Sequence, residues 1–249
     1  MTTKRNSAKF FLAFTCLSLL LICAACGSGS SGGAGNTAIT VSDIQNQSDW
    51  TGCTGPSCAG GAGNATYSLI QGESSPSLDG MTAEFQLGGS TGLSNVAWTK
   101  TFPALNSATQ FTLDLQAYVT CPCWPQALSF GISQIIGGQD YSFKYQCDFN
   151  GTGEWNLWDP RNKVWADTGI ACSQLPADSW THFVFQMERK DNKLHYQGFS
   201  INGQSTPLDI YFNPGAGTPD AIAVHFDEYG DSAQDPYSVW LDKVIVTAQ

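Results

Sequence analysis

The stretch SWTHFVFQMERKDNKLHYQGFSINGQSTPLDI, residues 179 to 210, admits few folds. Thr181, Phe183, Phe185 and Met187 alternate with His182, Val184, Gln186 and Glu188, a period of two that belongs to a strand with one buried face. A polar break runs from Lys190 to Lys193. The next run predicts a second strand with His195, Gln197, Phe199 and Ile201 on one face, and it ends at Asn202-Gly203, a dipeptide suited to a tight hairpin turn. Two linked hairpins in so short a span predict an antiparallel sheet.

Short alternating runs recur along the rest of the chain, among them Tyr67 to Ile70, Met81 to Leu87, Phe111 to Val119, Ala127 to Ile135, Ser142 to Cys147, Ala221 to Phe226 and Tyr237 to Thr247. Turn chemistry separates them, as at Ser75-Pro76, Gly137-Gly138 and Asn213-Pro214. No segment beyond the N-terminal region sustains a 3.6-residue apolar period, which disfavours a helical fold. The expectation is an all-β chain, a two-sheet antiparallel β-sandwich of the jelly-roll kind. Of 249 residues, 42% are hydrophobic and 12% aromatic, enough for the core of one domain over residues 38 to 249.

The N-terminus reads as an export signal. Lys4, Arg5 and Lys9 form a positive start, Phe10 to Ala25 an apolar segment, and small residues precede Cys26. The order Ile22-Cys23-Ala24-Ala25-Cys26-Gly27 resembles a bacterial lipobox, which implies a leader over residues 1 to 25 and lipidation of Cys26; ordinary secretion with removal of the leader is the alternative. Residues 26 to 37, rich in Gly and Ser, would then be a tether. These features imply export to the periplasm or cell surface, with contact to the membrane through the anchor only. Beyond residue 40 the chain carries eight basic against 21 acidic side chains, which disfavours nucleic acid as a partner.

Cysteine usage agrees with export. Of nine cysteines, Cys16 and Cys23 belong to the leader and Cys26 to the anchor, leaving six, an even number suited to disulfides. Cys53 and Cys58 would close a tight Gly/Pro loop, and Cys147 and Cys172 would staple the ends of a hairpin-like excursion. That second bridge contributes roughly 3 kcal/mol by restricting the unfolded chain. Cys121-Pro122-Cys123 either closes on itself or finds partners elsewhere. A zinc site would need Cys-x2-Cys spacing or His partners, and these six cysteines have neither.

Trp180-Thr181-His182-Phe183, Leu194-His195-Tyr196 and Ile201-Asn202-Gly203 resemble the hairpins of the concanavalin A-like lectin/glucanase superfamily, which includes laminin G-type modules. Tyr237 to Val244 is similar to the closing strand of such jelly rolls. The segment from about Trp50, with Ser75-Pro76-Ser77-Leu78-Asp79-Gly80, Gln146-Cys147 and Thr168 to Cys172, also resembles uncharacterised exported bacterial lipoproteins of this architecture. That likeness implies the fold and the bridge from Cys147 to Cys172, and no activity.

Glucanases of this superfamily carry Glu-x-Asp-x-x-Glu, because residues two apart on a strand share a face and hold acid and nucleophile roughly 5 to 5.5 Å apart. This chain has no two acidic residues at i and i+2. Gly88-Gly89-Ser90-Thr91-Gly92 matches a nucleophile-elbow pattern, but Leu93 to Lys100 read as loop and strand where that motif needs a helix, so a glycine-rich hairpin loop is the better account. The three histidines are His182, His195 and His225, and the hairpin register sets the first two ~20 Å apart, too far to share a metal.

Aromatic residues are the remaining pointer. Trp155, Trp158 and Trp165 frame Asp159-Pro160-Arg161-Asn162, and Trp124 comes directly after the Cys-Pro-Cys bend. Alternation groups Trp155 with Leu157 and Trp158 with Asn156, which makes Trp158 the outward ring. The expected ligand site is Trp158, Trp124, Trp165, Asn156 and Asp159, with rings stacking on sugar faces and amides and carboxylates bonding hydroxyls. Asp227, Glu228, Asp231 and Asp235 are weak candidates for a Ca²⁺ loop; a solvated acidic turn is the alternative, and no cofactor is otherwise expected. The sequence therefore predicts a surface-anchored domain that binds a polysaccharide or cell-surface glycan without cleaving it. A glycan-degrading hydrolase or lyase with a non-standard site, and a structural or adhesion module of the envelope, remain open.

Overall fold

The computed structural model describes residues 38–249; the leader, the tether and Cys26 lie outside them. In chain order the strands are β1 (Ile39–Val41), β2 (Thr51–Thr54), β3 (Ala65–Glu73), β4 (Thr82–Gly89), β5 (Asn95–Phe102) and β6 (Gln110–Val119). Next come β7 (Pro125–Ile136), β8 (Gln139–Asp148), β9 (Glu154–Asp159), β10 (Val164–Ala171) and β11 (Ser179–Lys190). The last are β12 (Lys193–Ile201), β13 (Gln204–Phe212), β14 (Gly215–Ala216), β15 (Ala221–Gly230) and β16 (Tyr237–Ala248). Among the described residues the one helical element is the 3₁₀ turn Ile44–Asn46, and no helix is long and apolar enough to cross a membrane.

Two antiparallel sheets form a sandwich. The first runs β13-β12-β11-β6-β16-β4-β3, with β1 also on β16; the second runs β10-β9-β8-β7-β15-β5-β2, with β14 also on β8. Alternation on β11 buries Thr181, Phe183, Phe185 and Met187 at no more than 1% exposure each. Phe130 of β7 crosses the sandwich to meet Phe183 and Phe185, at centroid distances of 5.3 and 5.8 Å. Each such ring stabilises the fold by roughly 2 kcal/mol on burial.

The central hairpins form where expected. Asp191 and Asn192 both have positive φ between the paired Lys190 and Lys193, and Asn202 and Gly203 do the same between Ile201 and Gln204. The phase of β12 differs from the sequence reading. Leu194 and Tyr196 face the core, the register slips between Tyr196 and Gly198, and Phe199 is again buried while His195 and Gln197 face out. A bulge inserts one residue and so reverses the faces beyond it. Gly198 suits the place, because a Cβ there would stand 2.7 Å from the Thr206 carbonyl oxygen.

Three disulfides join Cys53 to Cys58, Cys121 to Cys123 and Cys147 to Cys172. Bridges of this number belong to an oxidising compartment, which agrees with an exported domain.

Candidate functional site

The outer face of the second sheet ought to be an ordinary wetted surface, because its other face supplies the core. It is polar but largely buried. Ser129 on β7, Gln146 on β8, Asn156 on β9 and Asp227 on β15 align by register across four neighbouring strands. None exceeds 6% exposure. Covered polar groups outside a core call for an explanation.

Two walls provide the cover. On one side the β9–β10 hairpin raises Trp158 opposite Trp165, with ring centroids 5.3 Å apart and planes at 61°. On the other, residues 56 to 61 curl over the sheet, held by the Cys53–Cys58 bridge and by Asn95 Nδ2 donating to the Ala59 carbonyl at 3.3 Å. Gly61 allows this close return, since its φ is +71° and a Cβ would stand 2.7 Å from Asn95 Nδ2. Between the walls lies a cleft of about 720 Å³, within the range of small-ligand sites. Gly131 of β7 leaves the floor beside Lys144 and His225 without a side chain.

Charge is concentrated in this cleft. Lys144 Nζ donates to Asp227 Oδ2 at 2.8 Å, and Ser129 Oγ donates to the same oxygen at 3.2 Å. Asp227 Oδ1 is buried without a partner among the described residues. His225 sits between Ser133 Oγ, 2.8 Å from Nε2, and Thr99 Oγ1, 3.2 Å from Nδ1. Burial, with the Lys144 charge second, holds its pKa well below 6.5, so the imidazole is neutral at pH 7. Burial and then the Asp227 charge push the Tyr229 phenol well above 10, although Gln146, Trp165 and Ser129 lie within hydrogen-bonding reach of it. Asp140, at the lip, is raised by burial against its Ser142 hydrogen bond and the Lys144 charge. The lining offers a carboxylate, a paired ammonium with spare donors, a protonated phenol and two indole rings, and the neutral imidazole of His225 lies on the same sheet face outside that lining.

The expected site residues divide. Trp158 and Trp165 line the cleft, whereas Asn156 shares their sheet face but, at 3% exposure, is not part of the lining; Trp155 at 1% exposure is turned into the core as alternation implied. Asp159 builds the hairpin turn instead: Oδ1 accepts from the backbone of Arg161 and Asn162, and Oδ2 from Asn162 Nδ2 at 2.8 Å. A carboxylate so occupied folds its own turn. Trp124 lines a different groove, on the outer face of the first sheet.

The acidic run does not assemble as a Ca²⁺ loop. Asp227 faces this cleft, and the adjacent Glu228 points into the core, as neighbours on a strand must. Asp231 Oδ1 accepts from the backbone of Ala233 and Gln234. No cluster of three or more metal-ligating side chains is present among the described residues. Each histidine has its own partners, with His182 on Asp114, and His195 on Glu188 and Asp209.

Sequence reasoning missed Lys144, Gln146, Ser129, His225 and Tyr229. Each lies on a segment that reads as an ordinary strand, and only cross-strand register brings them together. Outward polar residues on β7, β8 and β15 were visible as alternation, but alternation alone does not say which polar face is covered.

No protein-family model matches the chain, and no curated protein sequence matches it. Solved structures do. "Cellulose induced protein, Cip1" superposes with a TM-score of 0.50 and 12% identity, covering 83% of this chain and 96% of that one. An endo-β-1,4-glucuronan lyase from the fungus Trichoderma reesei gives 0.50 and 12%, covering 74% and 87%. The carbohydrate esterase vb_24B_21 from Shiga toxin-encoding bacteriophage phi24B gives 0.50 and 14%, covering 86% and 100%. Identities this low speak to architecture alone, and the architecture is a jelly-roll β-sandwich.

Proposed function

We propose that this protein binds a polysaccharide in the cleft on its second sheet, without cleaving it, while a lipid on Cys26 holds it at the cell envelope. The observation that carries the reading is the unpartnered Asp227 Oδ1, buried beside Lys144 under the Trp158–Trp165 pair. A buried carboxylate oxygen without a donor costs free energy, and a sugar hydroxyl supplies that donor. The indoles offer apolar faces to the CH side of a pyranose, and Lys144 has protons left for a second hydroxyl or a uronate carboxylate. The named solved structures that share the fold include a polysaccharide lyase and a carbohydrate esterase, which supports the same class of ligand. The test is a glycan array probed with the purified protein. Binding to polysaccharides, with loss of signal in Trp158→Ala, is expected; an array without a hit overturns the reading.

A second reading, catalysis on the same glycan, is favoured by one observation: Tyr229 and Asp140, both with displaced pKa values, line the cleft, and His225 lies on the same face of β15. The neutral His225 can accept a proton, and the protonated Tyr229 can donate one. Incubating each array hit with the protein and assaying for new reducing ends or unsaturated uronates distinguishes the two. Product formed by wild type and abolished in Tyr229→Phe would make the domain an enzyme.

A further inference from the structure

The groove that holds Trp124 lies on the opposite side of the sandwich and shares no lining residue with the cleft. Its volume is about 400 Å³. Three neighbouring strands make the floor, where register aligns Ser68 of β3, Gln86 of β4 and Ser238 of β16. Ser68 donates to Gln86 Oε1, and Gln86 Nε2 donates to Glu84 Oε1 at 2.8 Å, so the amide is held in one orientation. Gly88 opens the floor toward Thr66 and Pro236.

Trp124 forms the wall, and it is 36% exposed. A ring this size gains by folding down onto the protein, yet its loop is fastened in place. Cys121 and Cys123 are bonded across one proline. Asn150 Nδ2 donates to the Pro122 backbone carbonyl at 3.2 Å and to the Pro125 backbone carbonyl at 2.6 Å, and Gln174 Nε2 donates to Asn150 Oδ1 at 2.6 Å. A covalent clamp and a hydrogen-bond clamp thus keep an indole at the rim of a polar groove, which is pre-organisation for a ligand and contributes nothing to the core.

The lining also differs from the cleft in charge. The cleft contains Lys144, Asp227, Asp140 and Lys163, whereas the groove contains hydroxyls, one amide and aromatic rings, with no carboxylate, ammonium, guanidinium or imidazole. In a chain of formal net charge −10, a lining without charged groups, the adjoining Glu84 carboxylate being engaged by Gln86 Nε2, suits an uncharged ligand. One stacking ring above hydroxyl and amide groups is the complement of a neutral sugar.

We infer that this groove is a second binding site, for an uncharged saccharide segment, with Trp124 as its stacking ring. Two sites on opposite faces allow one domain to bridge two glycan chains, or to bind one wrapped chain with raised avidity. The inference does not rest on ligand binding in the cleft.

The experiment is an NMR titration of purified full-length protein with neutral hexasaccharides of glucose, xylose and mannose, reading tryptophan indole Nε1–H resonances assigned by substitution. At least one of the three should shift the Trp124 indole. Its affinity should be unchanged by 0.5 M NaCl, fall roughly ten-fold or more in Trp124→Ala, and hold in Trp158→Ala. Gln86→Ala, which removes a floor amide and leaves the loop alone, should weaken binding as well. The inference is overturned if no hexasaccharide moves the Trp124 indole, or if Trp124→Ala with an unaltered thermal midpoint binds as wild type does. Failure of the cleft instead leaves the Trp124 response intact and removes only the response of Trp158.

Discussion

Replacing Glu228 with Gln should raise stability above pH 7 and leave it nearly unchanged below pH 5. Glu228 pairs laterally with Val96 and Leu128, both at 0% exposure, so its carboxyl faces the core. Oε2 accepts from Trp98 Nε1 at 2.9 Å, and Oε1 has no partner among the described residues. Burial raises the pKa from 4.5 to about 8, against the Trp98 hydrogen bond and with the help of Asp227 and Glu84. The folded state therefore holds a proton that the unfolded chain gives up near pH 4.5. The contribution of that proton is complete below pH 4.5 and is lost as the pH rises through about 8. At about 1.36 kcal/mol per pH decade the full gap corresponds to about 5 kcal/mol, and relaxation around the new charge brings the expected loss to about 2 to 5 kcal/mol. Gln keeps the shape and the acceptor for Trp98 and cannot ionise. Urea unfolding from pH 4 to 9, monitored by tryptophan fluorescence, should show wild type falling over this window and Glu228→Gln flatter by that amount. Parallel curves for the two proteins would refute the reasoning.

Three further outcomes are expected. Cys147→Ser with Cys172→Ser opens a link between residues 25 apart in sequence and should cost about 3 kcal/mol in urea unfolding, with the fold retained. Cys26→Ser should move the protein from the membrane fraction to the soluble one; unchanged detergent partitioning would remove the anchor. Gly131→Ala puts a Cβ 2.9 Å from Lys144 Cα and closer still to the Phe143 carbonyl oxygen, so it should lower the thermal midpoint by several degrees and weaken glycan binding together.

Local rules carried the strands of this chain and little of its site. The turns at Asp191-Asn192 and Asn202-Gly203 and the inward faces of β9 and β11 are set by composition and a period of two. The bulge between Tyr196 and Gly198 is not, because one inserted residue leaves no mark on propensity and yet reverses every face beyond it. Trp158 was legible as outward because its neighbours Trp155 and Leu157 are the apolar partners of the opposite phase. Trp124 was wrongly grouped with it, since nothing in a loop after a Cys-Pro-Cys bend says which sheet that loop will lean on. Asp227 drew attention for its acidic neighbours, whereas its partner is Lys144, 83 residues away. Charge pairs across a sheet are set by strand order, and strand order is the part of a jelly roll that local patterns leave open.

The most direct test of binding in the cleft is calorimetric titration of wild type, Trp158→Ala and Asp227→Asn with the strongest polysaccharide on the array. Wild type should bind, Trp158→Ala should lose roughly 1 to 3 kcal/mol of affinity as a contact hot spot does, and Asp227→Asn should weaken binding by removing the bare acceptor, all three with native circular dichroism. Equal affinity across the three folded proteins would contradict the assignment of the ligand to this face.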